Sequence, residues 1–195
     1  MTKAERTKQF IIEQSAPLFN TKGVAGTAMS DIMEATKMAK GGLYGHFESK
    51  DALSHAVVDH CLSTLGQKIT LQLNKHKSAK NKLFAYLDFL SKTDNPPLQG
   101  GCPMINFGTE ADDTNPVIKQ KVKQGMYWSQ NLIAGIIEHG LASGELKAGW
   151  DAKKYAMKIF ALMEGGILIA RVMGNNTQLN IIVKMLKAEI EDQVA

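Results

Sequence analysis

Residues 26–53, GTAMSDIMEATKMAKGGLYGHFESKDAL, constrain this chain more than any other stretch. Thr27 is a good N-cap residue, and Met29, Ile32 and Met33 then place apolar groups on one face of a helix running to about Ala35. A short turn over residues 36–38 follows. Residues 39–45 leave room for about two helical turns. They contain Gly41, Gly42 and Gly45, each about 1 kcal/mol worse than Ala in a helix interior. No local preference holds such a helix, so tertiary packing must pin it. Leu43 and Phe47, one turn apart, are the expected pins.

A helix, a short turn and a second helix packed across the first make the helix-turn-helix plan, whose second helix enters the major groove of DNA. The poor helix formers then have a reason, because glycine lets a backbone approach a ligand more closely than a bulky side chain would. Lys40, Tyr44, His46 and Lys50 stand around Gly41 and Gly42 and are able to reach phosphates or base edges. Thr27, at the expected cap of the first helix, completes the predicted DNA contacts. A new helix opens at Ser49 as cap and carries Leu53, Val57, Cys61, Leu65 and Ile69 in a one-face stripe of about five turns.

The order Gly23, Thr27, Asp31-Ile32, Ala35 and then MAKGGLYGHFESKDAL resembles the DNA-binding domain of the tetracycline-repressor (TetR) family of bacterial one-component regulators. The run Leu-Tyr-x-His-Phe-x-x-Lys, here Leu43 to Lys50, is the specific part of the likeness. Ala39 departs from the Ser or Thr often found at that cap, and Gly45 from a larger residue that can touch DNA. The resemblance is close over about the first 55 residues and extends beyond them only in length and helical pattern. It implies an all-α fold of about nine helices: a three-helix helix-turn-helix domain over residues 1–50, and a helical ligand-binding and dimerisation domain over 51–195. It further implies a homodimer joined through the last two long helices and a palindromic double-stranded operator. A small-molecule effector is expected among the helices after Asp51, where it would move the helix that begins there.

Charge tempers the DNA reading without opposing it. The sequence pI is near 9.0, yet residues 1–50 hold seven basic and five acidic side chains, so placement matters more than the sum. Lysine supplies nearly all the cations and only Arg6 lies near the motif, which leaves Lys40, apolar contacts and DNA shape to read most of the sequence. The mean hydropathy of -0.16 fits an ordinary globular chain. No apolar run approaches the roughly 18 residues that a bilayer crossing needs, and MTKAERTKQF carries charges where a signal peptide has its apolar core. A cytoplasmic protein without membrane contact is expected, with Cys61 and Cys102 outside any disulfide.

The remaining pattern is helical throughout. A first helix over residues 3–21 contains Pro17, where a bend is expected, and closes at Lys22-Gly23. Leu83, Tyr86, Leu87 and Leu90 mark another helix, ended by Asp94-Asn95-Pro96-Pro97. Pro103 suits a helix's first turn, and Asn115-Pro116 opens a long helix that Gly140 and Gly144 are expected to close. Asp151 caps a helix to Met173, apolar on nearly all sides, with Gly165-Gly166 inviting a close crossing; the last helix carries Leu179, Ile182, Leu186 and Ile190. Lys68, Lys75, Lys77, Lys80 and Lys82 are better read as a solvated helix junction than as a second DNA contact.

Met104, Phe107, Met126, Trp128, Phe160 and Met163 are the candidate walls of the effector cavity, against the alternative that each is plain core. Cys102, at a predicted helix N-terminus, is a candidate sensor of electrophiles or oxidants, because the helix dipole favours its thiolate. Some family branches resemble this Gly-Cys opening. An enzyme finds little support: there is no Gly-x-Ser-x-Gly, Walker loop, His-Glu-x-x-His or paired-cysteine metal spacing, and Asp51, His55 and Asp59 are better read as a solvated face than as metal ligands. No cofactor is implied. The different-class alternative is a helical interaction module with a head that does not bind specific DNA.

Overall fold

The computed structural model describes residues 1–195 and is all-helical, with nine helices and one isolated bridge between Leu146 and Val194. They are α1 (Lys3–Gly26), α2 (Met29–Thr36), α3 (Lys40–Tyr44), α4 (Lys50–Leu73), α5 (Ala79–Leu90), α6 (Pro103–Ala111), α7 (Pro116–Ala142), α8 (Ala152–Met173) and α9 (Thr177–Asp192). The chain forms two compact units, Met1–Leu65 with Leu98–Gln124 and Gly66–Pro97 with Gly125–Ala195. Helices α4 and α7 contribute to both.

The first unit is built on α1. A capping box opens it: the Thr2 hydroxyl accepts the Glu5 N–H, and the Thr2 N–H is donated to the Glu5 carboxylate. The helix passes through Pro17 and leaves helical geometry only at Gly23, where φ is 77° and ψ 172°; one further turn then reaches Gly26. Gly23 is therefore an elbow inside the helix and not its end. Ile11 and Phe19 of α1, Ile32 of α2, Leu43 of α3 and Val57 of α4 are buried in the core of this unit.

Helix α6 packs along α1 in the same unit and is tied to it by side-chain amides. Buried Asn20 donates to the carbonyls of Gln99 and Gly101, while Asn106 donates to the Asn20 backbone carbonyl, the Asn20 Oδ1 and the Gly100 carbonyl. Gly100 is obligatory there, since it has φ +95° and a Cβ would lie 2.7 Å from the Asn20 carbonyl oxygen.

In the second unit α8 buries Ala156, Ile159, Phe160, Met163 and Ile167, and α9 packs against it with Leu179, Val183, Leu186 and Ile190 buried. The Gly165-Gly166 pair divides its work. A Cβ on Gly166 would sit 2.8 Å from Leu179 Cδ1, so this glycine admits α9, whereas Gly165 faces open space. Helix α8 is capped by the Asp151 carboxylate on the Lys154 N–H and closed by left-handed Gly174. The start of α5 is capped from far along the chain: the Glu145 carboxylate accepts the N–H groups of Ala79 and Lys80 at 2.7 and 2.8 Å.

A second helix end, besides that of α1, differs from the sequence expectation. Gly140 does not close α7, which continues to Ala142 before the left-handed Gly144. Gly140 is needed for space instead, because a Cβ there would lie 2.5 Å from Leu146 Cδ1 and 2.7 Å from the Ala79 Cβ. Gly135, one turn earlier on the exposed side, has nothing within 4 Å of such an atom. Gly140→Ala is therefore expected to destabilise the protein by about 1–3 kcal/mol through overpacking. Gly135→Ala should be neutral or stabilise it by up to about 1 kcal/mol. Urea unfolding of the two variants checks the contrast.

Candidate nucleic-acid interface

Helix α3 is five residues long and owes its shape to packing. Leu43 is 2% exposed and Phe47 6%, and each such burial is worth about 1.5–3 kcal/mol against exposure. The pins expected from the sequence are the pins observed. With them inside, α3 turns Lys40, Gly41 and Tyr44 outward, and Gly45 beyond it is exposed too. Tyr44 is 42% exposed, and the Lys40 ammonium lies 5.9 Å from its ring centroid. His46 is half-buried at the rim. The glycines differ in what they offer. A Cβ on Gly41 would meet nothing within 4 Å, whereas one on Gly42 would lie 3.2 Å from the Met38 methyl. Both glycines are exposed, Gly41 beside open space and Gly42 beside the end of the Met38 side chain.

That turn contains a residue the sequence reading passed over. Lys37 caps the C-terminus of α2 in the left-handed region, φ 55°, with its side chain exposed. It is the only non-glycine residue of the chain with positive φ. It adds an exposed cation three residues before Lys40. A lysine between Thr36 and Met38, where a glycine would have been easier, was the available signal.

Thr27 requires a correction. It does not cap α2: the N-cap is Ala28, whose N–H is donated to the Asp31 carboxylate at 3.1 Å. Thr27 closes α1 instead, fully buried, with its hydroxyl donated to the Gly23 carbonyl at 2.7 Å. This is the i to i−4 bond that Ser15 and Thr36 also make in their helices. Asp31 also pairs with Lys22 at 3.0 Å, and these two partners hold its carboxyl below the usual carboxylate range, the Lys22 hydrogen bond being the larger cause.

Lys50 opens α4, where the Ser49 hydroxyl accepts the Ala52 N–H as expected of a cap. Its ammonium is donated to the carbonyls of Val24 and Thr27 at 2.8 and 2.9 Å, clamping the last turn of α1. On the other side of that turn the Glu110 carboxylate accepts the N–H groups of Val24 and Ala25. Neither partnership was readable from spacing, since both join residues far apart in sequence. Lys8 stacks over Phe47, its ammonium 5.0 Å from the ring centroid.

The remaining candidates divide between the two units. Met104 and Phe107 are buried on α6 in the first; in the second, Phe160 and Met163 are buried on α8, while on α7 Met126 is half-buried and Trp128 is 41% exposed. The Trp128 ring lies over Gly66, within 3.3 Å of where a Cβ would be. Cys61 is buried in the α4 stripe, and burial pushes its thiol up to about 12. Cys102 is half-exposed at the N-cap of α6, with Pro103 following at the first helical position. Asp59 pairs with Lys121 at 2.6 Å. No helix is long and apolar enough to cross a membrane.

Comparison with known proteins agrees with this geometry. Residues 11–57 match the family of bacterial regulatory proteins of the tetR type, and residues 79–186 match the tetracyclin repressor-like C-terminal domain. A TetR transcriptional regulator from Chloroflexus aurantiacus is 38% identical and superposes with a TM-score of 0.93, covering 100% of this chain and 98% of that one. One from Cytophaga hutchinsonii is 33% identical, with a TM-score of 0.95 over the same shares. The HTH-type transcriptional repressor DhaR of Mycobacterium sp. strain GP1 is 27% identical over 176 residues, 89% of this chain and 86% of the relative. The chain belongs to the TetR family of helix-turn-helix transcriptional regulators, proteins that act by binding DNA and not by catalysis.

Proposed function

We propose that the protein is a cytoplasmic, dimeric repressor that occupies a palindromic operator until a small apolar effector releases it. The observation that carries this reading is the outward strip of α2–α3, where Lys37, Lys40, Gly41 and Tyr44 are exposed while Leu43 and Phe47 are buried beneath them. The similar protein DhaR is by name a repressor, which favours that sign of regulation. Residues 1–50 serve as the reading head and 51–195 as the regulatory part. Lys40, Gly41, Tyr44 and His46 make the direct contacts. Gly42 and Lys50 serve the geometry behind them, and Thr27 acts from the interior.

Selection of bound sequences from a random DNA pool, together with fragments from upstream of the protein's own gene, tests this at two salt concentrations. A palindrome with half-sites about 34–36 Å apart, or a multiple of that, is expected. Binding that is indifferent to sequence would replace the repressor with a helical interaction module. On the recovered operator, Tyr44→Phe should weaken binding on all sequences alike, by about 1 kcal/mol for one lost hydrogen bond. Lys40→Ala should change the preference among operators by about 1–3 kcal/mol at the base pair it reads. Equal losses on every operator for both variants would refute the division of roles.

Dimerisation is argued from α8 and α9. Met157, Ala161, Leu168 and Val172 form one exposed stripe of α8 around half-buried Gly165, and Ile181, Met185 and Ala188 one of α9. Val172 is 78% exposed and Met185 58%. An apolar strip spanning two adjacent helices, with small residues in the middle of one, suits packing against the same pair of a second copy. Leu168→Glu is expected to give a monomer by sedimentation velocity and to weaken operator binding by more than tenfold, because a lone head reads one half-site.

The effector reading draws on the apolar and methionine-rich side chains after Asp51, and on Ser129. Ser129 is one turn from Met126 on α7 and 1% exposed, and its buried hydroxyl has no partner, a cost that a polar group on a ligand would remove. A thiol input is favoured by a separate observation. Cys102 directly follows Gly101, whose carbonyl accepts Asn20, so an adduct at its sulfur would press on the ties between α6 and α1. In the native protein at pH 8 a maleimide is expected to modify Cys102 and leave Cys61 untouched, since a thiol titrating near 12 is about one part in ten thousand thiolate there. Peptide mapping checks this, and loss of operator binding in wild type but not in Cys102→Ser would make Cys102 the input.

A further inference from the structure

The elbow at Gly23 is gripped from two sides by opposite charges. Helical geometry restarts after it, where the first amides of a helical segment call for acceptors from outside, and Val24 and Ala25 find theirs in a side chain. Glu110 takes one with each carboxylate oxygen, Oε2 from Val24 at 2.7 Å and Oε1 from Ala25 at 2.6 Å. Lys50 holds the carbonyls of Val24 and Thr27. The fit is close enough to exclude a side chain, because at Gly23, with φ +77°, a Cβ would lie 2.7 Å from Glu110 Oε2. A carboxylate bound through both oxygens fixes the direction of the chain as well as its position.

Glu110 stands in the last turn of α6, the helix whose Asn106 is tied to Asn20. The elbow runs on through Thr27 into α2, and α2 carries α3. We infer that Glu110 is a positioning residue: by holding the Gly23 elbow it relays the placement of α6 to the DNA-reading helices, and withdrawal of its carboxylate lowers operator affinity without unfolding the head. This rests on the DNA-binding reading above. Any event that shifts the end of α6 by the length of a hydrogen bond withdraws Glu110 from the Val24 and Ala25 amides.

Electrostatics and positioning predict opposite signs, which makes the role testable. Neutralising an acid on a DNA-binding unit strengthens its attraction to phosphates on any sequence. Loss of the elbow's geometry weakens only binding that depends on presenting α3 correctly. Full-length wild type, Glu110→Gln and Gly23→Ala are therefore compared on an operator recovered by the wild type from a random pool and on a scrambled duplex of equal length. Amide exchange is followed across the head.

Glu110→Gln should lose about tenfold or more on the operator, the equivalent of one charge-assisted hydrogen bond. Its affinity for the scrambled duplex should be equal or higher. Exchange should quicken at Val24 and Ala25 while α2 and the α4 stripe keep their protection. Gly23→Ala should show the same pattern, because its Cβ displaces the carboxylate. Wild-type operator affinity in either variant overturns the inference, as does loss of protection throughout α2, which would make Glu110 a residue of stability alone. If the wild type itself recovers no sequence from the pool, the DNA-binding reading fails and takes this inference with it.

Discussion

The burial of Leu43 and Phe47 is the interaction on which the reading head depends. A helix of five residues with two glycines inside it has no stability of its own, since isolated helices shorter than about 12 residues are marginal even with good helix formers. Two large apolar side chains, each worth a few kcal/mol when buried, outweigh that deficit of about 2 kcal/mol. The consequence is a division by face. Side chains beneath α3 hold it in place, and those above it carry no structural duty.

The second requirement is orientation, and here the solution is polar. Helix α1 breaks at Gly23, and the turn beyond the break is satisfied at both its amides and its carbonyls by side chains from α6 and α4. Hydrogen bonds are directional where apolar contacts are not, so they set an angle that packing alone would leave loose. Unpaired amides and carbonyls at a partly buried helix end cost free energy, and the charged partners remove that cost while choosing one geometry. The same device recurs in the second unit, where Glu145 caps the start of α5 from far along the chain.

Much of this was legible in the sequence, because most of it is local. The 3.6-residue periodicity placed the helices, and Ser49, Cys102-Pro103, Asn115-Pro116 and Asp151 mark their beginnings where the sequence suggested. What escaped was non-local. Thr27 looked like a cap because Thr before an apolar run usually is one, but its hydroxyl bonds back to Gly23 of α1 and Asp31 does the capping. Lys50 looked like a free cation because sequence cannot show that two carbonyls lie within its reach. Gly140 looked like a stop because its reason for being glycine, the nearness of Leu146 and Ala79, is tertiary. Lys37 went unnoticed because a left-handed turn normally announces itself with glycine.

The separation of faces on α3 bears on how such a protein changes over time. Lys40, Gly41, Tyr44 and Gly45 are exposed and Ile32, Leu43 and Phe47 buried. The exposed positions can therefore change with little effect on the packing that holds α3. Exposed and pinning positions alternate within fewer than twenty consecutive residues, so the surface of this segment is free to vary while its folding is not.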